Sequence, residues 1–277
     1  MTKILITGAA GFIGSRLFNK LKLKYEVLGV DFNLREKLDK KIINLDLINE
    51  TETSKLINEF DPSFVFHLAA YAGPPRNEIN PEFAYKYNVD ILKSLLKSLN
   101  KKTKFFFPST DKIFEGNNFP DETTKLNPPS VHGKLKLICE DLIKKFNKKY
   151  FIFRQPVIHS YGGYTQLSQM SGCSFIDKAI DEIKQKKTVN IFSNVKRCFV
   201  KVEELIFVYE KLINSENYGT YNIAGPLVSY YDRLENLCQE KKINFDKLIT
   251  KIKGSTFPLE QNINCQKFEK TFIYKFS

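Results

Sequence analysis

Over about its first 155 residues the chain alternates short, almost wholly apolar runs with longer stretches of helical periodicity. The apolar runs at 4–7, 25–30, 42–45, 64–70, 105–107 and 151–153 are strand-sized, and residues 11–23, 51–60, 81–99 and 132–146 carry apolar positions at helical spacing. Strands that are apolar throughout, rather than at alternate positions, imply a sheet buried on both faces, hence parallel strands joined by helices. The expected fold class is therefore α/β, a doubly wound parallel sheet of the Rossmann type. Beyond Arg154 the pattern loosens into helices at 175–186 and 203–213, strands at 189–192 and 199–202, and Gly and Pro punctuation from about 215. We expect one domain, carrying this sheet, of residues 1–158 and 187–214, and a smaller C-terminal lobe of 159–186 and 215–277.

Composition narrows the class. Apolar residues make up 42% of the chain, enough for a core and against wholesale disorder. No apolar run reaches the length of a membrane span, and the N-terminus enters a strand directly with no basic and apolar leader. The five cysteines (Cys139, Cys173, Cys198, Cys238, Cys265) are scattered and form no CxxC, which leads us to expect a reduced, cytoplasmic protein. The formal charge is +12, yet only six of the 43 basic residues are arginine. The lysines fall largely on predicted helix surfaces, with no nucleic-acid motif and no basic stripe interleaved with aromatics. They read as a solubilising surface rather than a nucleic-acid footprint. No two histidines have metal-ligand spacing, so no metal is expected.

The decisive segment is Thr7-Gly8-Ala9-Ala10-Gly11-Phe12-Ile13-Gly14, which follows a strand and opens a helix. Gly8 permits a tight turn, Gly11 leaves room for a pyrophosphate against backbone, and Gly14 lets helix pack closely on strand. The helix N-terminus offers free N–H groups to the phosphates. Asp31 ends the next strand, where an acidic group bonds the ribose hydroxyls and repels a 2′-phosphate. NAD is favoured, with NADP as the alternative, since Arg35 lies nearby.

This glycine spacing resembles that of the extended short-chain dehydrogenase/reductase family, and further matches run along nearly the whole chain. Asp46-Leu47 is similar to the family's adenine-contacting pair. His67-Leu68-Ala69-Ala70 resembles its fourth-strand signature against the cofactor, and Asn88 matches an asparagine on the following helix. Ser109-Thr110 is similar to the catalytic Ser/Thr strand end. The segments 219–226 and 258–270 resemble the closing parts of the dTDP-4-dehydrorhamnose reductase group. The resemblance implies an NAD(P)-dependent oxidoreductase, epimerase or dehydratase acting on a nucleotide-activated sugar, most of all a 4-keto-sugar reductase or epimerase. Lys178 and Arg197 are candidates for the substrate diphosphate, and Ser109 and Thr110 for a substrate carbonyl. Relatives often dimerise through the helices matching 81–99 and 132–146, which makes a homodimer the expected assembly.

One departure matters. The family carries Tyr-x-x-x-Lys on the helix after the Ser/Thr loop, and here that place is taken by His132-Gly133-Lys134-Leu135-Lys136. Lys136 fits, but the tyrosine is His132. Three readings follow. His132 is the acid/base, with an unperturbed pKa of about 6.5 suited to proton transfer. Alternatively catalysis is lost and the protein binds without turnover, as the similarity of the beta subunit of methionine adenosyltransferase to this reductase group allows. Or another group supplies the proton. The remaining histidines have plainer roles: His67 in the core beside the cofactor, His159 shaping a pocket.

Overall fold

The computed structural model describes residues 1–32, 39–71, 74–114, 119–160, 175–254 and 259–277. Arg35, 115–118, 161–174 and 255–258 lie outside the described residues. In chain order the elements are β1 (Lys3–Thr7), α1 (Phe12–Leu21), β2 (Glu26–Asp31), β3 (Ile42–Asn44), α2 (Glu50–Phe60), β4 (Phe64–His67), α3 (Pro74–Ile79), α4 (Pro81–Tyr85), a π-helical turn (Lys86–Asp90), α5 (Ile91–Ser98), β5 (Lys104–Thr110), α6 (Val131–Phe146) and β6 (Tyr150–Gln155). There follow β7 (Val157–His159), α7 (Phe175–Lys184), β8 (Val189–Phe192), β9 (Lys196–Lys201), α8 (Val202–Leu212), β10 (Gly219–Asn222), β11 (Leu227–Ser229), α9 (Tyr230–Glu240), β12 (Ile249–Ile252), β13 (Glu260–Gln261) and α10 (Gln266–Phe272).

Two compact units emerge. The first comprises residues 1–115, 125–154 and 206–221, the second 116–124, 155–205 and 222–277. In the first, seven strands lie in the order β10-β6-β5-β4-β1-β2-β3. The β1–β2, β1–β4, β2–β3 and β4–β5 pairs are all parallel. Both sheet faces are covered, as the unbroken apolar strands require. On one face Phe66, Phe106, Phe153 and Tyr209 of α8 pack ring against ring, with Phe106 and Tyr209 centroids 4.2 Å apart and Phe106 edge-on to Phe153 at 5.3 Å. On the other, Leu5, Val65, Phe105, Phe107 and Ile152 meet Leu92 and Leu95 of α5 and Leu135 and Ile143 of α6. Each fully buried Phe or Leu contributes about 1.5–3 kcal/mol relative to exposure.

The second unit is built on β9, which pairs with β11, β13 and β7, and on a separate β12–β8 pair. Its core joins Ile176, Ile180 and Ile183 of α7 to Leu234, Leu237 and Cys238 of α9 and to Phe199. Of the stretch 187–214 expected in the dinucleotide domain, β8 and β9 pair within this unit, and only residues from 206 on group with the first. The helix expected at 81–99 starts at Pro81 but passes through the π-helical turn around Asn88. Among the described residues no helix is long and apolar enough to cross a membrane.

His67 ends β4 fully buried, with its Nδ1 2.8 Å from the Thr7 hydroxyl and its ring stacked on Phe107. Burial, helped by the charge of Lys136, pushes its pKa down to about 3. In the second unit, Arg233 donates through Nε to His159 Nε2 at 3.1 Å, and burial with the Arg233 charge takes that ring to about 3 as well. Both rings stay neutral in the fold but take up protons near 6.5 once unfolded. Their contribution is therefore complete above that pH and is lost as pH falls toward 3, by about 1.4 kcal/mol per pH unit for each ring. Urea denaturation at pH 6.5 and 5.0, above the range of most carboxylates, should show stability falling with pH. His67→Phe should flatten that slope by one proton's worth, and an equal slope in the variant would mean His67 titrates normally.

Candidate functional site

From β1 the chain moves outward to β2 and β3, then returns to place β4 on the other flank of β1. Connections thus diverge between β1 and β4, and a crevice opens beyond their carboxyl ends. Thr7 and His67 are partners in register there. The Thr7 hydroxyl also accepts the Ala69 N–H at 3.2 Å, and the Thr7 carbonyl accepts that of Leu68 at 3.1 Å. This tie ends β4 at His67 rather than at Ala70, as expected from sequence. Leu68 and Ala69 become the half-buried floor of the crevice, and Ala70 is exposed.

The glycine loop crosses this floor. Gly8 has φ +70°, and a Cβ on it would lie 2.6 Å from the Ala69 nitrogen. A Cβ on Gly14 would lie 2.0 Å from the Gly8 carbonyl oxygen, so α1 seats directly on the turn. Gly11 is the N-cap of α1 and lends it no side-chain acceptor, and the first turn has no acidic residue. The first-turn N–H groups, at Phe12 and Ile13, and the positive end of the helix are left for an anion such as a pyrophosphate. Asp31 anchors the loop from β2: its Oδ2 accepts the Ala10 N–H and its Oδ1 the Phe32 N–H, both at 2.7 Å. Burial raises its pKa, and the two N–H donors hold the rise in check.

Beside Asp31, Asp46 accepts from the Ile48 N–H at 3.1 Å and from the Tyr87 hydroxyl at 3.3 Å, while Leu47 is buried. Tyr87 in turn stacks on Phe32 and packs at a tilt against Phe83. Sequence reasoning missed this aromatic wall, although Phe32 directly follows the ribose-site aspartate. Asn88 commits its amide to the Ala84 and Tyr71 carbonyls, at 2.7 and 3.3 Å. It shapes the segment after β4 through backbone contacts.

The catalytic candidates gather at the end of β5 and the start of α6. Ser130 caps α6 by accepting the Gly133 N–H. His132, Lys136, Glu140 and Lys144 follow at four-residue steps and so share one face. Lys136 Nζ, buried, donates to the Pro108 carbonyl at 2.7 Å and sits 4.4 Å over the Phe107 ring. Burial lowers its pKa to about 8. The Thr110 hydroxyl accepts the Lys112 N–H and donates to Asp111, each at 3.3 Å. Ser109, the preceding residue on the strand, points the other way. Its hydroxyl donates to the buried Glu140 carboxylate at 2.6 Å, and Arg154 grips the same carboxylate from Nε and Nη2 at 3.1 and 2.9 Å. Ser109 thus serves the core network and not a substrate carbonyl.

His132 stands where the motif's tyrosine was expected, one turn before Lys136. Burial, then the charges of Lys136 and Lys112, push its pKa down to about 3. The ring is neutral at neutral pH and holds no imidazolium proton to deliver, unlike the acid that an unperturbed pKa of about 6.5 suggested. In the second unit, Arg197 Nη1 donates to the Lys196 and Leu259 carbonyls, at 2.6 and 3.5 Å, and Lys178 lies on the exposed face of α7.

With this geometry in view, the profile of the NAD dependent epimerase/dehydratase family matches residues 4–224. The chain belongs to that family. Among its relatives, the dTDP-4-dehydrorhamnose reductase of Aggregatibacter actinomycetemcomitans is 27% identical over 248 residues, covering 84% of this chain and 76% of the relative. The methionine adenosyltransferase 2 subunit beta of Xenopus tropicalis is 30% identical over 179 residues, 64% of this chain and 52% of the relative, so the match spans about half of that protein. A UDP-glucose 4-epimerase of Thermotoga maritima, crystallised with UDP-glucose, superposes with a TM-score of 0.85 at 23% identity, covering 100% of this chain and 94% of that one. A dTDP-4-dehydrorhamnose reductase of Clostridium acetobutylicum gives 0.80 at 26% identity, covering 98% and 93%.

Two loop variants separate binding from folding. Gly14→Ala drives a methyl into the Gly8 carbonyl and should cost several kcal/mol or abolish the fold. Gly11→Val meets only the Gly8 oxygen at 3.1 Å and fills the anion cradle instead. It should keep the wild-type circular dichroism while losing dinucleotide binding in calorimetry. Wild-type affinity in Gly11→Val would show that the cradle lies elsewhere.

Proposed function

We propose that the protein is an NAD(P)-dependent oxidoreductase or epimerase acting on a nucleotide-activated sugar, with a 4-keto-sugar reductase or epimerase as its most specific form. The observation that carries this reading is the glycine loop at the β1/β4 switch point, open at the α1 N-terminus and tied to Asp31. Gly8, Gly11, Phe12, Ile13 and Gly14 would hold the pyrophosphate, Asp31 the adenosine ribose, and Asp46 and Leu47 the adenine. Leu68, Ala69, Ala70 and Asn88 would line the nicotinamide half, with Lys136 at its ribose. When bound, the dinucleotide supplies or takes up hydride. Thr110 and His132 would meet the reacting sugar oxygen, and Lys178 and Arg197 the substrate diphosphate. The charge of Asp31 favours NAD over NADP. The same reading carries cytoplasmic action and a homodimer formed through residues 81–99 and 132–146.

A second reading has one observation in its favour: the residue in the tyrosine's place is an imidazole with no transferable proton at neutral pH. Under it the protein binds the dinucleotide without turnover and acts as a regulatory subunit.

Turnover decides between the two. Under the enzyme reading, the wild type converts at least one nucleotide sugar from a panel of dTDP- and UDP-sugars, a 4-keto sugar with NADH or NADPH or a 4-hydroxy sugar with NAD+ or NADP+, and Thr110→Val lowers the rate about a hundredfold. Inactivity across the panel, with dinucleotide still bound, favours the binding protein, and His132→Tyr should then create turnover. Asp31→Ala should weaken NAD and relatively favour NADP; an unchanged ratio would remove Asp31 from the ribose site.

A further inference from the structure

Helix α3 is short and polar, yet it is docked on the start of α6 by two specific contacts. Glu78 Oε1 accepts the Val131 N–H at 2.7 Å, occupying a first-turn donor of α6. One residue earlier, Asn77 is buried at 1% exposure, with its Nδ2 3.1 Å from His132 Nδ1. An amide nitrogen is a donor only. Facing it, Nδ1 must present a lone pair, and the single proton of the neutral ring must then sit on Nε2. Among the described residues that Nε2 edge carries no hydrogen bond, whereas the Nδ1 edge is fully engaged. Asn77 Oδ1, for its part, is buried with no partner among the described residues.

The cationic form of the ring has no support from its surroundings. The charged groups around it are Lys136 on its own helix, Lys112 on the turn after β5, and Glu78 on α3, whose Oε1 is spent on the Val131 N–H. Both lysines oppose a second positive charge. A phenol in this place offers one O–H to a substrate oxygen. A neutral imidazole with its Nδ1 occupied offers one N–H from the same helical position, and polarises that oxygen without giving up its proton.

We propose that Asn77 is the positioning residue of this site, holding His132 as the Nε2–H tautomer so that a neutral N–H donates a hydrogen bond to an oxygen of the bound ligand. The inference rests on the reading that this crevice takes a dinucleotide and a sugar, and it adds how the altered residue engages them. Asn77 acts through His132.

Nitrogen-15 spectra of the histidine-labelled full chain test this, with His132→Gln used to assign the signals. In the free wild type, His132 should show a protonated Nε2 and an unprotonated Nδ1 near neutral pH. Asn77→Asp puts an obligate acceptor opposite Nδ1 and should move the proton there; Asn77→Ala should give a mixture. A wild-type ring protonated on Nδ1, or an Asn77→Asp spectrum like that of wild type, overturns the proposal. The wild-type spectrum alone suffices if a variant fails to fold. Adding NAD and UDP-glucose or dTDP-glucose should then shift the His132 Nε2 signal. Binding seen by calorimetry with Nε2 unmoved overturns the donor role while leaving the functional reading intact. No binding of any dinucleotide or sugar defeats the functional reading and with it the donor role, and the tautomer stands or falls on the free spectrum.

Discussion

The site depends on a buried carboxylate. Glu140 is wholly inside the protein, where burial alone would push its pKa up. Arg154, Lys144 and Ser109 together hold it below the usual carboxylate range. Through those bonds one residue of α6 is tied to β5 and to β6 at once. Removing a partner from such an ion pair costs about 3–5 kcal/mol, because the other charge stays buried and unpaired. The tie fixes the rotation of α6 about its axis. Lys136 and His132, one and two turns earlier on the same face, take their positions from it. Ser109 is held from within, so Thr110 beside it is presented on the opposite side of the strand.

The other half of the site follows from close approach between backbones. The turn after β1 and the segment after β4 are so near that Gly8 has no room for a side chain, and α1 is so near the turn that Gly14 has none. Thr7 and His67 join the two strand ends beneath the loop. The neutral, buried His67 is well suited to this, since a charged ring would lie close to Lys136. Asp31 completes the frame by accepting an N–H from the loop itself, so the residue expected to read the ribose also holds the glycine loop in shape.

Much of this was legible in the sequence because it rests on local rules. Unbroken apolar runs signalled a sheet covered on both faces, and the glycines and Asp31 fell at fixed offsets from strands and helices, whereas Lys136 was marked only by the resemblance to the family's motif. What was not legible depended on partners far away in the chain. The turn of β4 after His67 is set by Thr7, sixty positions earlier. The fate of Ser109 is decided by Glu140 and Arg154, though strand alternation already put it opposite Thr110. The pKa of His132 is set by burial and by Lys112 and Lys136, and its tautomer by Asn77, fifty-five positions away. Strands β8 and β9 look locally like any others, and only their pairing assigns them to the second unit.

In the proposed function the glycine loop and α6 together hold one dinucleotide, with Lys136 as the cation at its nicotinamide ribose. Lys136 has a pKa of about 8 in the fold against an ordinary 10.5, so it is charged at neutral pH and loses its proton just above it. Calorimetric titration of NADH from pH 7 to 9.5 tests this most directly. One site per chain is expected, with affinity falling as pH rises through about 8, and a pH-independent, weaker affinity in Lys136→Met. Absence of binding at pH 7, or an affinity that stays level across that range in the wild type, would contradict it.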